Sequence, residues 1–228
     1  MQSQSIVTAL VTFLFSISPP LTVNFSLLSP AQVALAQSEQ PALRNAFESR
    51  SIPSEAMLPT LQVNDRVLID KLAYRSELPK RGDIIIFKPT KNILKDYPNL
   101  KAAFIKRVIG LPGETLVVRR GKVYVNNLPL QEKYIKEAPE YTWGPSTVPA
   151  KSYFVLGDSR NNSNDSHLWG FVPENHIIGK AVGIFCPPKR QRLLDVSKPL
   201  TPLVKDMFSA LQWWAQNSDD CTRSGALT

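Results

Sequence analysis

A chain of 228 residues with an ordinary apolar fraction has room for one globular domain of moderate size plus appendages. Its net charge of +8 favours anionic surfaces such as phospholipid headgroups. No Lys/Arg cluster is long enough to make nucleic acid a partner, and Lys189, Arg190 and Arg192 alone make a poor case. Two cysteines, Cys186 and Cys221, fit neither a metal site nor a disulfide framework. Cys186 in its apolar run reads as a buried thiol, and a bridge to Cys221 stays open. Many prolines, Val/Ile-rich runs and few long amphipathic stretches point to β structure.

Met1–Ser38 carries no charged side chain, and Ile6–Leu28 is long enough to cross a bilayer, with Pro19-Pro20 as a kink. One reading is a membrane anchor that leaves the following domain outside the cytoplasm. Another is a cleaved signal peptide, because Ala34-Leu35-Ala36 places small residues before Gln37. A soluble core helix is a third. The absence of Lys and Arg before the span leaves its orientation open. Residues 37–51 read as a linker or short helix.

Ile52–Leu61 reads Ile-Pro-Ser-Glu-Ala-Met-Leu-Pro-Thr-Leu, a proline-bounded turn with Ser54 near its bend. Composition alone makes it an ordinary loop. Val67 and Ile69 give a strand within Val63–Tyr74, and Ile84–Phe87 is a short apolar run typical of a buried strand. Lys91–Lys101 reads as a surface excursion. Ala102–Ile109 is strand-like, and by residue type alone Lys106 within it would face water. Thr115–Val118 and Lys122–Val125 flank a hairpin turn, and Lys133–Pro149, with three prolines, reads as irregular. Tyr153–Leu156 is a strand leading into a polar loop, Gly157–His167, of Asx and Ser turns. Strand character returns at Phe171–Pro173 and Ile177–Phe185. Thr201-Pro202 is a helix start, and Leu203, Val204, Met207, Phe208, Leu211 and Trp214 recur at helical spacing as a packing face.

Four blocks, taken in order, resemble the type I signal peptidases. They are Ile52–Leu61, Arg81–Phe87, Phe104–Gly113 and Gly157–Gly170. The first is similar to the family's nucleophile motif Pro-Ser-x-Ser-Met-x-Pro-Thr-Leu at Pro53, Ser54, Met57, Pro59, Thr60 and Leu61. The family's nucleophilic serine falls on Ala56. The last block departs mildly, with Ser159 where Asn is commoner and His167 where Arg is commoner.

The resemblance implies a Ser/Lys endopeptidase that removes signal peptides after Ala-x-Ala, with no metal or organic cofactor. It assigns Lys106 as general base, Ser54 with the backbone N–H of residue 56 as oxyanion donors, and Ser163 as the hydroxyl that orients the lysine. Asp165, Asp158 and Arg107 support the site, with Asp165 as a partner for Arg107. Ile52, Met57, Leu61, Phe104 and Ile105 would line the pocket beside the cut, and Val67 and Ile86 the pocket two residues back. A lysine can act as base only when neutral. Apolar neighbours such as Phe104, Ile105, Val108 and Ile109 would favour that form.

The expected fold is mainly β, an antiparallel, barrel-like sheet with an N-terminal membrane segment and a short C-terminal helix. Expected boundaries are 1–36 anchor or signal-like segment, 37–51 linker, 52–190 catalytic domain and 191–228 extension. Expected partners are preprotein signal peptides and membrane lipid, at a plasma or thylakoid membrane, with the catalytic domain on the extracytoplasmic or lumenal side. A methyl group cannot attack a carbonyl, so the chain is expected to be inactive as written. Three explanations of Ala56 stand: an engineered or recent loss, an older pseudoenzyme that binds preproteins without cutting them, and Ser54 as an alternative nucleophile. A self-cleaving repressor shares the Ser/Lys logic, but its DNA-binding helical domain does not fit an apolar N-terminus. Carbonate extraction of the full-length chain should leave it in the membrane pellet. Release with a new N-terminus at Gln37 would establish the cleaved-signal reading instead.

Overall fold

The computed structural model describes residues 46–195, 201–216 and 221. The expected apolar span Ile6–Leu28 lies outside them, and no described helix is long and apolar enough to cross a membrane.

Antiparallel strands dominate. The larger sheet contains β1 (Phe47–Ser51), β2 (Arg66–Asp70), β3 (Ile84–Phe87), β4 (Phe104–Gly110), β9 (Ser152–Leu156), β10 (Val172–Pro173), β11 (Ile177–Cys186) and β12 (Arg192–Leu193). Its order is β1-β2-β11-β3-β4-β9-β10, with β12 added beside β11. The terminal strands β1 and β10 do not pair, so the sheet is open. A smaller sheet has the order β7-β6-β5-β8, from β5 (Thr115–Arg119), β6 (Lys122–Val125), β7 (Leu128–Pro129) and β8 (Trp143–Thr147). Helices are α1 (Lys91–Asp96), α2 (Ser166–Trp169) and α3 (Pro202–Gln216).

Burial explains why the strands form where they do. Ile84–Phe87 is buried along its whole length because each face of β3 meets a different apolar cluster. Ile84 and Ile86 join Ile52, Met57, Leu61, Val67 and Ile69 on one side. Ile85 and Phe87 join Val108, Tyr153 and Trp169 on the other. In β2, Val67 and Ile69 point into the first cluster, while Leu68 packs in a third cluster with α3. The smaller sheet closes over β4 and β9 through Leu116, Val118 and Val123 against Ile109, Phe154 and Leu156.

The α3 stripe is a packing face: Val204, Met207, Phe208 and Leu211 are buried with Phe185 and Val182 of β11. The Leu203 and Trp214 side chains lie outside the described residues. Gly183 of β11 allows this close approach, since a methyl there would collide with the Phe208 ring. Thr201 Oγ1 accepts the Val204 N–H at 3.4 Å, as expected of an N-cap.

Several local expectations are corrected. Phe47–Ser51, read as part of a linker, pairs with β2 through its whole length. Its sequence carries no apolar alternation, and only Phe47 is fully buried. The excursion Lys91–Lys101 contains α1, capped by Thr90 and anchored by Ile93 alone. The irregular segment Lys133–Pro149 contains β8, held by pairing with β5. Cys186 is not a thiol but is bridged to Cys221.

That bridge spans 35 residues of chain and ties Cys221, which follows α3, to the end of β11. Constraining an unfolded loop of that size is worth about 3–4 kcal/mol. Reduction, or Cys221→Ser, should therefore lower the thermal midpoint in calorimetry. An unchanged midpoint would mean that the bridge contributes nothing to stability.

Candidate active site

The turn carrying residue 56 is a closed loop. Its ends meet where Ile52 N–H donates to Asp65 O at 2.8 Å and Asn64 N–H donates to Ile52 O at 2.9 Å. Inside it, Leu58 N–H reaches Glu55 O and Leu61 N–H reaches Met57 O, and the Leu58–Pro59 peptide is cis. Met57 and Leu61 plunge into the core and fix the turn to the sheet. Ser54 remains exposed, and the Ala56 side chain is buried at the edge.

Lys106 sits in the middle of β4, opposite Ile85 of β3. It is buried, not directed to water as residue type alone predicts. Strand alternation places it on the face shared by Phe104 and Val108. Ile105 and Ile109 lie on the opposite face, which corrects half of the expected apolar wall. Burial pushes the Lys106 pKa below the ordinary lysine value, while the charges of Asp165 and Asp158 act against that shift. Among the described residues no carboxylate forms an ion pair with Lys106, because both nearby carboxylates are engaged elsewhere.

Asp158 receives Arg107 in a two-point contact, from Nε at 2.8 Å and Nη2 at 2.6 Å. It also accepts the Thr60 hydroxyl of the turn that carries residue 56. Arg107 Nη1 continues to Gly82 O at 2.8 Å, and the Tyr134 ring lies 4.1 Å from the guanidinium carbon. The expected Arg107–Asp165 pairing is thus corrected. Arg107 extends on the face of β4 opposite Lys106, and it is Asp158 that meets it there. Asp165 instead accepts the Gly157 N–H at 2.9 Å and lies 2.7 Å from His167 Nδ1. The His167 ring stacks on Tyr141.

Gly157 is the crossing point. A methyl there would collide with Ser163 Oγ and with the Ala56 carbonyl oxygen, so only glycine lets loop and turn come this close. Ser159 N–H also donates to Ala56 O at 3.2 Å. Ser163 Oγ is buried without a hydrogen-bond partner, so its expected contact with Lys106 is not made here.

Of the seven expected pocket residues, Ile52, Met57, Leu61, Val67 and Ile86 form a packed floor. Ile105, partly exposed, packs at its rim, whereas Phe104 packs with Phe87 and Trp169 on the other face of β4, which corrects its expected place in this pocket. Sequence reasoning did not assign roles to Thr60, Arg160 or Glu132. Arg160, 1% exposed, donates to Gly157 O at 3.0 Å and to both carboxylate oxygens of Glu132. It fastens the polar loop to the segment before β8. Thr60 carried a signal, since it belongs to the matching motif. Glu132 carried none.

A buried ammonium costs stability wherever the folded chain must keep it charged. The folded pKa of Lys106 is lowered, so the unfolded chain binds more protons and the penalty is largest at pH below that pKa. It fades as pH rises to the free-lysine value of about 10.4. Lys106→Met should therefore raise stability near neutral pH, with a gain that shrinks towards pH 10 in denaturant titrations. A gain independent of pH would contradict the assignment.

A family model described as signal peptidase, peptidase S26, matches residues 41–186. A signal peptidase I of Leptolyngbya laminosa is 57% identical over 143 residues, covering 63% of this chain and 70% of that one. A probable signal peptidase I-2 of Synechocystis sp. is 51% identical over 147 residues, covering 64% and 66%. Thylakoidal processing peptidase 1, chloroplastic, of Arabidopsis thaliana is 41% identical over 147 residues, covering 63% and 43%. With the family model matched over residues 41–186 and relatives this similar, the chain belongs to the signal peptidase I family of serine endopeptidases, which remove signal peptides.

Proposed function

We propose that this chain is a membrane-tethered signal peptidase I scaffold that binds preprotein cleavage segments ending in Ala-x-Ala and lacks only the attacking hydroxyl. The observation that carries this reading is Lys106, a buried amine with a lowered pKa and no ion-pair partner among the described residues. Keeping such a group has a stability cost and no evident structural return. A serine at position 56 would give it a purpose, because a serine hydroxyl needs an adjacent base to attack a carbonyl.

In that chemistry neutral Lys106 takes the hydroxyl proton as the oxygen bonds to the scissile carbonyl carbon. The oxyanion receives hydrogen bonds from the N–H of residue 56 and from the exposed Ser54 hydroxyl. Such a donor is worth about 2.7–4 kcal/mol in the transition state. The lysine returns its proton to the leaving amine, and water then cleaves the acyl-enzyme with the same base. Ser163, whose buried hydroxyl has no hydrogen-bond partner, would turn towards the amine when the site is complete. Arg107, Asp158 and Asp165 hold the loop and do not touch substrate.

The extended substrate would lie over the floor of Ile52, Met57, Leu61, Val67 and Ile86, with Ile105 at the rim. A shallow floor admits alanine and rejects larger side chains by clash. The uncharged Ile6–Leu28 span would supply a single membrane tether, with the catalytic domain on the extracytoplasmic or lumenal side. Retention of Lys106, Ser54, Ser163 and Asp165 favours a recent or deliberate change at residue 56. A second reading, a silent preprotein binder, rests on Ala56 itself.

Ala56→Ser in detergent or lipid should cut a preprotein, with a rate that climbs as pH rises and Lys106 loses its proton. Adding Lys106→Ala should remove nearly all activity, since base and nucleophile act as a unit. The unmodified chain should bind the same preprotein and leave it intact. A folded Ala56→Ser variant that binds but never cuts would make the silent binder the better account.

A further inference from the structure

The matched family region stops at residue 186, yet the chain just beyond it returns to the catalytic turn. Arg190 makes a two-point contact with Asp65, from Nε at 2.7 Å and Nη2 at 2.8 Å. Asp65 is 1% exposed, and its Oδ2 also accepts the Gln62 N–H at 2.8 Å. This is the residue whose backbone closes the turn against Ile52. Arg190 and Arg192 both direct a guanidinium nitrogen at the Thr60 carbonyl oxygen. The Thr60 hydroxyl, on the same residue, is the one that binds Asp158. The turn is therefore gripped from two sides, by Asp158 at its hydroxyl and by the two arginines at its carbonyl and its base.

The arginines are themselves held. Cys186, four residues before Arg190, is bridged to Cys221. Gln191 Nε2 donates to Phe185 O at 2.9 Å and to Gln212 O of α3 at 3.1 Å. Gln216 Nε2 donates back to Gln191 Oε1 at 3.0 Å. Hydrogen bonds from α3 to Gln191, and from its covalent neighbour Arg190 to Asp65, thus link the helix to the turn. Two parallel N–H···O bonds from a planar guanidinium fix both distance and angle, which a lysine at this position could not do.

We propose that Arg190 is a positioning residue for the catalytic turn, so that the segment following residue 186 is part of the working site. It acts through Asp65 and Thr60, setting where the backbone N–H and side chain of residue 56 stand relative to Lys106. A misplacement of about 1 Å at such a position can cost on the order of 100-fold in rate. The kinetic part rests on the proposed peptidase chemistry, whereas the mechanical part does not.

The test uses Arg190→Met in the full-length chain, in both the unmodified and the Ala56→Ser backgrounds. In the unmodified background, amide exchange at Leu58 and Leu61, whose N–H groups bond within the turn, should quicken about tenfold. Amides of β5 and β6 should keep their rates. In the Ala56→Ser background, kcat should fall tenfold or more while KM changes less than about twofold, because the Met57 and Leu61 side chains stay held in the core cluster with Val67 and Ile86. Arg190→Lys should recover only part of that loss. Glu114→Ala, which breaks the Arg81–Glu114 pair away from the turn, serves for comparison and should leave kcat unchanged. Unaltered exchange at Leu58 and Leu61 would overturn the proposal whatever the activity. An equal loss of kcat in Glu114→Ala would also overturn it, reducing the effect to general destabilisation. Faster exchange together with an inactive Ala56→Ser parent would uphold the mechanical part and sink the peptidase reading instead.

Discussion

One buried carboxylate joins the three parts of the chain that must meet for any chemistry here. Asp158 is fully buried on the loop after β9. It receives Arg107 from β4 and the Thr60 hydroxyl from the turn that carries residue 56. Arg107 is the immediate neighbour of Lys106, so the same contact that seats the turn also fixes the strand carrying the amine. Leaving such a charge buried without its partner costs about 3–5 kcal/mol. That asymmetry makes the junction hard to loosen piecemeal. Gly157, beside Asp158, then removes the last side chain that would hold loop and turn apart.

The electrostatics of Lys106 follow from how that carboxylate and its neighbour are used. Asp158 and Asp165 both stand close enough to draw the Lys106 pKa upward, yet burial outweighs them. Asp158 is neutralised by Arg107, and Asp165 is occupied by the Gly157 N–H and the His167 ring. Had either oxygen pair been free to meet the amine, Lys106 would be an ordinary structural cation. Binding the acids to other partners leaves the amine without an ion-pair partner among the described residues. In the proposed chemistry, a chain that retains this arrangement while carrying Ala56 keeps the base and lacks the nucleophile.

Much of this was legible in the sequence, for identifiable reasons. Ile84–Phe87 was readable because a continuous apolar run has few places to go but a doubly covered strand. The α3 stripe was readable because its spacing is helical. Lys106 was assigned from motif wording, not from residue type, which pointed to water. Short elements without periodicity escaped: α1 buries one residue, and β8 contains Gly144 and Pro145 and survives by pairing with β5. The partner of Arg107 escaped because Asp158 and Asp165 sit in the same loop, and only the face of β4 decides between them. Arg190 escaped because nothing local joins it to Asp65, 125 residues earlier.

The central claim is that Lys106 is a buried amine poised to lose its proton, and it can be read at that atom. Selective isotope labelling of lysine, with the Lys106 signal assigned by its loss in Lys106→Met, allows a pH titration by NMR in the unmodified chain. The account predicts a midpoint clearly below the free-lysine value of about 10.4. A midpoint at or above that value would contradict it, leaving Lys106 a structural cation and the site without a base.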